Sequence, residues 1–193
     1  YTRTDDVYDS PYRKAMIANE SGADYLISFH RNASPIAGNA SGIETLVYAD
    51  RGVAAQMARD INRELAALGF RDIGVIERPG LAVLRRSRMP AVLIETGFID
   101  NDADNLKFDE EFEEIAAAIS NGILETLRNE GQLPDSISSA SYPPEISNNT
   151  QNERPPSPLS DNTPASKLYR VQVGAFKNRN YAYELNSQLT EEG

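Results

Sequence analysis

Two ionisable residues stand at the ends of apolar runs, and both have side chains that can take part in hydrolysis. His30, the only histidine among 193 residues, closes "YLISFH", and Glu95 closes "AVLIE". A neutral imidazole can bind zinc, and a nearby carboxylate can take a proton from a zinc-bound water. A lone histidine at a strand end is more often an ordinary hydrogen-bonded residue, so the spacing alone supports this chemistry only weakly.

Alternating strand and helix patterns up to residue 130 predict the elements that position these residues. Strands are predicted in "YLISF", "GIETLVY", "LAVL" and "AVLIETGF", and helices in "SPYRKAMIANESG", "GVAAQMARDINRELAALG" and "DEEFEEIAAAISNGILETLRN". Ser10 and Pro11 are typical of a helix start, and in the last helix Phe112, Ile115, Ile119, Ile123 and Leu127 fall on one face. The order predicts an α/β fold with a mostly parallel sheet flanked by helices, whose sites lie where strands end.

The composition changes after residue 130 and predicts a second module. Residues 131–166 hold most of the chain's 11 prolines together with many serines and asparagines, which predicts a disordered, flexible linker. Residues 167–193 begin with the alternating "KLYRVQV" and continue with a helical pattern, so we expect the start of a small α+β domain.

Charge and composition exclude several classes of protein. The net charge is -10, and an acidic body repels phosphate backbones, so nucleic acid is not an expected partner. No apolar run reaches the roughly 20 residues that cross a bilayer. The absence of cysteine excludes disulfides and thiolate metal sites. We expect a monomer that does not span a membrane.

Several motifs in residues 1–130 together resemble one family. "YTRTDD", "ISFHRNA", "GIETLVY" and "MPAVLIETGFIDN" occur in the order and register found in the zinc-dependent N-acetylmuramoyl-L-alanine amidases, which trim bacterial peptidoglycan. "YRVQVGAFKNRNYAYELNSQL" looks like the opening of a SPOR domain, a peptidoglycan-binding module. The resemblance implies an extracytoplasmic cell-wall hydrolase that acts on the amide between muramic acid and L-alanine, with a zinc-activated water.

The same resemblance implies roles for individual residues. His30 matches the family's last metal-binding histidine, and Glu95 matches its catalytic glutamate. The family's first histidine lies in a Gly-His-Gly-type turn, followed by a glutamate ligand, and neither motif occurs in this sequence. We therefore expect an internal fragment, lacking the N-terminal part of the amidase domain, that binds zinc weakly and hydrolyses little on its own.

Other residues and the overall function each allow more than one interpretation. Arg85, in a basic turn between two predicted strands, is the first candidate for binding substrate carboxylates, although a solvated turn is the simpler interpretation. Asp100, Asp102, Asp104 and Glu111 have calcium-loop spacing, but Asn105 replaces the required glycine, which favours an acidic turn before a helix. The alternatives to an amidase are an inactive peptidoglycan-binding protein on the same scaffold and another zinc peptidase or carboxypeptidase.

Overall fold

The computed structural model describes residue 2 and residues 8–133. The predicted SPOR segment and most of the predicted linker lie outside these residues. The described elements follow the chain in this order: α1 Pro11–Glu20, β1 Leu26–Asn32, β2 Ile43–Val47, α2 Gly52–Ala67, β3 Asp72–Glu77, α3 Ala82–Arg85, β4 Ala91–Phe98, α4 Asp102–Glu110 and α5 Phe112–Asn129.

The four strands form one mixed sheet in the order β1-β4-β2-β3. The pairs β1–β4 and β2–β3 are parallel, whereas β2 and β4 are antiparallel. The predicted α/β architecture with a mostly parallel sheet is therefore confirmed. The antiparallel pair brings the beginning of β2 beside the later part of β4.

Alternation along the strands divides the core between the two faces of the sheet. On one face, α2 and α5 pack over Ile43, Val47, Val92 and Ile94. On the other face, the short helix α3 packs over a smaller set, Leu46, Ala91 and Leu93. Successive strand residues point to opposite faces, so Glu44 and Glu95 share the face that α3 covers.

The structure corrects two details of the predicted elements. "LAVL" forms most of a single helical turn instead of a strand, with the amide of Arg85 donating to the carbonyl of Leu81 at 2.8 Å. Short apolar runs fit a strand or a buried helix equally well, which explains the error. The strand β3 and the helix α4 were not predicted.

The helix boundaries follow the predicted signals. The Oγ of Ser10 accepts a hydrogen bond from the amide of Arg13, and Pro11 opens α1. Val53, Met57, Ile61 and Leu65 lie in α2 as the spacing predicted. On the apolar face of α5, Ile115, Ile119, Ile123 and Leu127 are buried, whereas Phe112 remains 39% exposed because it stands at the helix start.

Candidate active site

The two residues singled out in the sequence lie side by side in the sheet. His30 of β1 and Glu95 of β4 are directly paired in the parallel register of the two strands. Paired positions on neighbouring strands place their side chains on the same face. The structure thus brings His30 and Glu95 together on the α3 face, while their chemical roles stay predictions.

A third residue, Glu44, extends this row and was missed at the sequence level. Glu44 of β2 pairs with Glu95 across the antiparallel contact between β2 and β4. One row therefore runs across three strands as His30, Glu95 and Glu44. The alternation in "IETLV" could have placed Glu44 with Leu46 on one face, but only the strand order shows that this face adjoins Glu95.

The environment of His30 keeps its imidazole neutral at neutral pH. Burial, together with the charge of Lys14 in α1, lowers the pKa of His30 to about 4. The Nε2 atom lies 3.0 Å from the Oγ of Ser28, two residues earlier on the same face. A neutral imidazole is the form that binds a metal ion.

The environment of Glu95 favours its protonated form. Burial first, and then the charge of Glu44, raise the pKa of Glu95 to about 8, although the Arg31 guanidinium acts in the opposite direction. Its Oε2 atom is fully buried and has no hydrogen-bond partner among the described residues. A carboxyl group in this condition can hold a proton at neutral pH and transfer it within the site.

The second carboxylate of the row is held by a neighbouring amide. The Nδ2 of Asn32 donates a hydrogen bond to Oε1 of Glu44 at 2.9 Å. Asn32 pairs with Phe98, so β4 uses one residue more than β1 after the His30–Glu95 pair. Gly97 accommodates this bulge with φ at +76°, a conformation that side chains rarely adopt.

Arg31, between His30 and Asn32, makes contacts on the opposite face of the sheet that hold the end of β1. The guanidinium of Arg31 donates to Oδ1 of Asn105 at 2.8 Å and stacks over the ring of Phe108, 4.2 Å from its centroid. Burial lowers the pKa of Arg31, opposed first by Asp104. These contacts fix the end of β1, and with it the position of His30.

The acidic stretch after β4 holds the loop between β1 and β2. The carboxylate of Asp104 accepts hydrogen bonds from the Oγ of Ser41 and from the amides of Gly42 and Phe98. Asp100 accepts from the amide of Ser34. These hydrogen bonds place the start of β2, and therefore Glu44, and they support the interpretation as an acidic turn before a helix.

Arg85 belongs to the helix that covers the face of the sheet carrying the row. It is the exposed last residue of α3, not part of a turn between two strands as predicted. Helix α3 packs through Val83 and Leu84 on Leu46 and Leu93, so Arg85 lies on the face that carries Glu44 and Glu95.

The described residues do not build a complete zinc site. Among residue 2 and residues 8–133, no group of three histidine, cysteine, aspartate or glutamate residues is arranged to hold a metal ion. His30 offers one suitable ligand, and the buried Oε2 of Glu95 has no hydrogen-bond partner among the described residues. Structural and catalytic zinc sites use at least three protein ligands.

Comparison with known proteins assigns the family. Residues 1–125 match the family model for N-acetylmuramoyl-L-alanine amidase. The chain belongs to this amidase family. The match contains all three residues of the row, and it confirms the family that the sequence motifs predicted.

Curated relatives of the amidase family align with the whole chain. It is 32% identical to N-acetylmuramoyl-L-alanine amidase CwlM of Bacillus licheniformis and 31% identical to a sporulation-specific N-acetylmuramoyl-L-alanine amidase of Bacillus subtilis. In both cases 100% of this chain is covered, but the chain spans only 63% of the relative's length.

Solved structures of the amidase family share the fold. An N-acetylmuramoyl-L-alanine amidase from Clostridium difficile matches with 33% identity and a TM-score of 0.58, over 70% of this chain and 71% of that chain. The catalytic domain of CwlV from Bacillus (Paenibacillus) polymyxa matches with 30% identity and a TM-score of 0.58, over 66% of this chain and 70% of that chain. No helix in the described part of the chain is long and apolar enough to cross a membrane.

Proposed function

We propose that this domain serves a cell-wall hydrolase that cleaves the amide bond between N-acetylmuramic acid and L-alanine in peptidoglycan. The observation that carries the proposal is the adjacent pair His30 and Glu95 on one face of the sheet, in a chain of the amidase family. The names of its relatives in two Bacillus species support the same activity.

Glu95 is the proposed acid and base of the reaction. In its ionised form, which a pKa of about 8 leaves as the minority at neutral pH, it accepts a proton from the attacking water, whose oxygen bonds to the lactyl carbonyl carbon. It then gives that proton to the nitrogen of L-alanine as the C–N bond breaks. The raised pKa of Glu95, about 8, suits the second half of this cycle, because the group retains a proton at neutral pH until the amine leaves.

Zinc is the proposed cofactor, with His30 as one ligand and the remaining ligands outside the described residues. When bound, zinc would activate water and stabilise the oxyanion. Because one imidazole holds zinc weakly, we expect the 193-residue chain to bind zinc with a Kd above the micromolar range. Isothermal titration calorimetry measures this Kd. Micromolar or tighter binding that survives His30→Ala would show that His30 is assigned wrongly.

The remaining proposals concern substrate contact and targeting. Arg85 is proposed to bind a carboxylate of the peptide stem, since guanidinium groups bind carboxylates in bidentate fashion. Residues 131–166 are proposed as a linker and residues 167–193 as the start of a SPOR-like module, in a protein that acts outside the cytoplasm. Co-sedimentation with purified peptidoglycan tests the module: removal of residues 167–193 is expected to reduce the bound fraction.

Product analysis tests the activity. The complete gene product that carries this sequence is incubated with purified peptidoglycan and zinc, and the new amino groups are identified by labelling. We expect free amino groups on L-alanine and no released D-alanine, and Glu95→Gln is expected to lower the rate by at least about 100-fold. Released D-alanine would indicate a carboxypeptidase, and bound peptidoglycan without any product would indicate an inactive binding protein.

A further inference from the structure

Two carboxylates face each other at the centre of the candidate site. Glu44 and Glu95 are directly opposite residues of antiparallel neighbours. Such positions bring Cβ atoms to about 4.5–5.5 Å, and like charges placed there are destabilising. Among the described residues, neither carboxylate has an ion-pair partner within 4.0 Å.

A hydrogen bond holds one carboxyl group of this pair, whereas one oxygen of the other has no hydrogen-bond partner among the described residues. The amide of Asn32 holds Oε1 of Glu44, which fixes that carboxylate on the shared face. Across the strand, Oε2 of Glu95 is fully buried and receives no hydrogen bond from the described residues. A buried carboxylate oxygen without a donor is costly, so the pair suits a group that is positively charged or rich in N–H donors.

We propose that Glu44 and Glu95 together bind the α-ammonium group of L-alanine at the end of the stem peptide released by hydrolysis. This inference rests on the proposed function. In the intact substrate the nitrogen is an uncharged amide, whereas the product amine has gained one proton from the attacking water and a second from solvent. The carboxylate pair therefore interacts most strongly with the nitrogen after positive charge has developed on it.

Glu44 thereby has a role that Glu95 cannot fill alone. Once Glu95 has given its proton to the leaving nitrogen, both residues are carboxylates, and the new ammonium group lies between opposite negative charges. Asn32 acts as a positioning residue, because its Nδ2 donates a hydrogen bond to Oε1 of Glu44. The pair sacrifices stability of the free protein to bind a cationic group, as functional sites commonly do.

Peptide binding by the 193-residue chain tests the proposal without turnover. The probes are the dipeptide L-Ala-D-Glu with a free amine and the same dipeptide N-acetylated, each titrated calorimetrically in the presence of a chelator. Glu44→Gln is expected to weaken binding of the free-amine peptide about 10-fold, as for one lost charge-assisted hydrogen bond, without affecting the acetylated one. Asn32→Ala is expected to weaken binding of the free-amine peptide by a smaller factor than Glu44→Gln does.

A stability measurement separates a ligand-binding role from a structural one. At pH 9, where Glu95 is ionised, removing one of two facing charges is expected to raise the Tm of Glu44→Gln in the absence of peptide, whereas loss of a structural residue would lower it. The matched control is Glu130→Gln, an exposed residue at the end of α5, and it is expected to leave binding and Tm unchanged.

Three outcomes would overturn the proposal. These are equal affinity for the free and acetylated peptides, unchanged peptide binding by Glu44→Gln, or a loss of zinc binding in that variant without loss of peptide binding. Product analysis tests the proposed activity separately from the ammonium site. Release of D-alanine would refute the proposed amidase activity but not the ammonium site. Correct products together with unchanged binding by Glu44→Gln would refute the ammonium site alone.

Discussion

At the scale of single residues, the site combines two groups whose pKa values are shifted in opposite directions by their environments. Burial lowers the pKa of His30 to about 4 and raises that of Glu95 to about 8, so both side chains are uncharged at neutral pH. Glu44 supplies the negative charge beside them, held by Asn32. An uncharged imidazole is ready to act as a ligand, and an uncharged carboxyl is ready to donate a proton.

These shifts predict how stability depends on pH. The folded-state pKa of Glu95 lies above its ordinary value of 4.5, so the folded protein retains a proton that the unfolded chain releases between about pH 4.5 and 8. The contribution of Glu95 is therefore lost as the pH rises through this window. Glu95→Gln is expected to increase the free energy of unfolding at pH 8, relative to the wild type, by on the order of 2–4 kcal/mol.

Urea unfolding at pH 4.5 and pH 8, in the presence of a chelator, measures this difference. His30 acts in the opposite sense: its lowered pKa removes stability as the pH falls from 6.5 to about 4, and that slope should persist in Glu95→Gln. Glu130→Gln serves as the control. An unchanged pH slope between pH 4.5 and 8 in Glu95→Gln would contradict a buried, protonated Glu95.

At the scale of elements, the site depends on strands that are held in place by helices on the opposite face of the sheet. The Oδ1 of Asn62 in α2 accepts a hydrogen bond from the Oγ1 of Thr45 at 2.6 Å, on the face opposite to Glu44. In the same layer, the Oγ1 of Thr126 in α5 donates to the Oδ2 of Asp60 in α2 at 2.8 Å. These hydrogen bonds thus join α2 both to β2 and to α5.

The close contact between these helices requires a glycine. A Cβ atom at Gly122 of α5 would lie 2.6 Å from the Cα and 2.7 Å from the amide nitrogen of Ile61. Although alanine is favoured over glycine in a helix by about 1 kcal/mol, Gly122→Ala is expected to destabilise the protein by about 1–3 kcal/mol because the backbones must separate.

Urea unfolding of Gly122→Ala and of a matched variant measures this cost. Gly80→Ala is the control, because a Cβ atom at Gly80 would meet nothing within 4 Å and its φ is not positive. A Gly122→Ala protein as stable as the wild type would mean that α2 and α5 are less closely packed than described.

At the scale of the whole molecule, the fold brings together residues that are far apart in the sequence. His30, Glu44 and Glu95 come from three strands, and β4 inserts between β1 and β2 although it is the last of the described strands in sequence order. The parallel and antiparallel contacts of β4 align all three residues in one row. Asp104, in the first turn of α4, then holds the loop that leads to Glu44.

The amino-acid sequence alone determined the family, the α/β class, three helices with clear caps or apolar spacing, and the pairing of His30 with Glu95 as a hypothesis. These follow from local patterns: an apolar run that ends in a charged residue, a Ser-Pro helix start, and motifs that resemble a known family. Such signals are encoded in neighbouring residues and do not depend on strand order.

Only the tertiary structure decided the place of Glu44, the helical form of "LAVL" and the antiparallel position of β2. Each of these depends on which strands become neighbours, and the energy that selects neighbours comes from packing between residues distant in sequence. Glu44 is an ordinary polar residue of an alternating strand until β4 lies beside it. At that point two acidic side chains meet, and the raised pKa of Glu95 becomes a property of the fold.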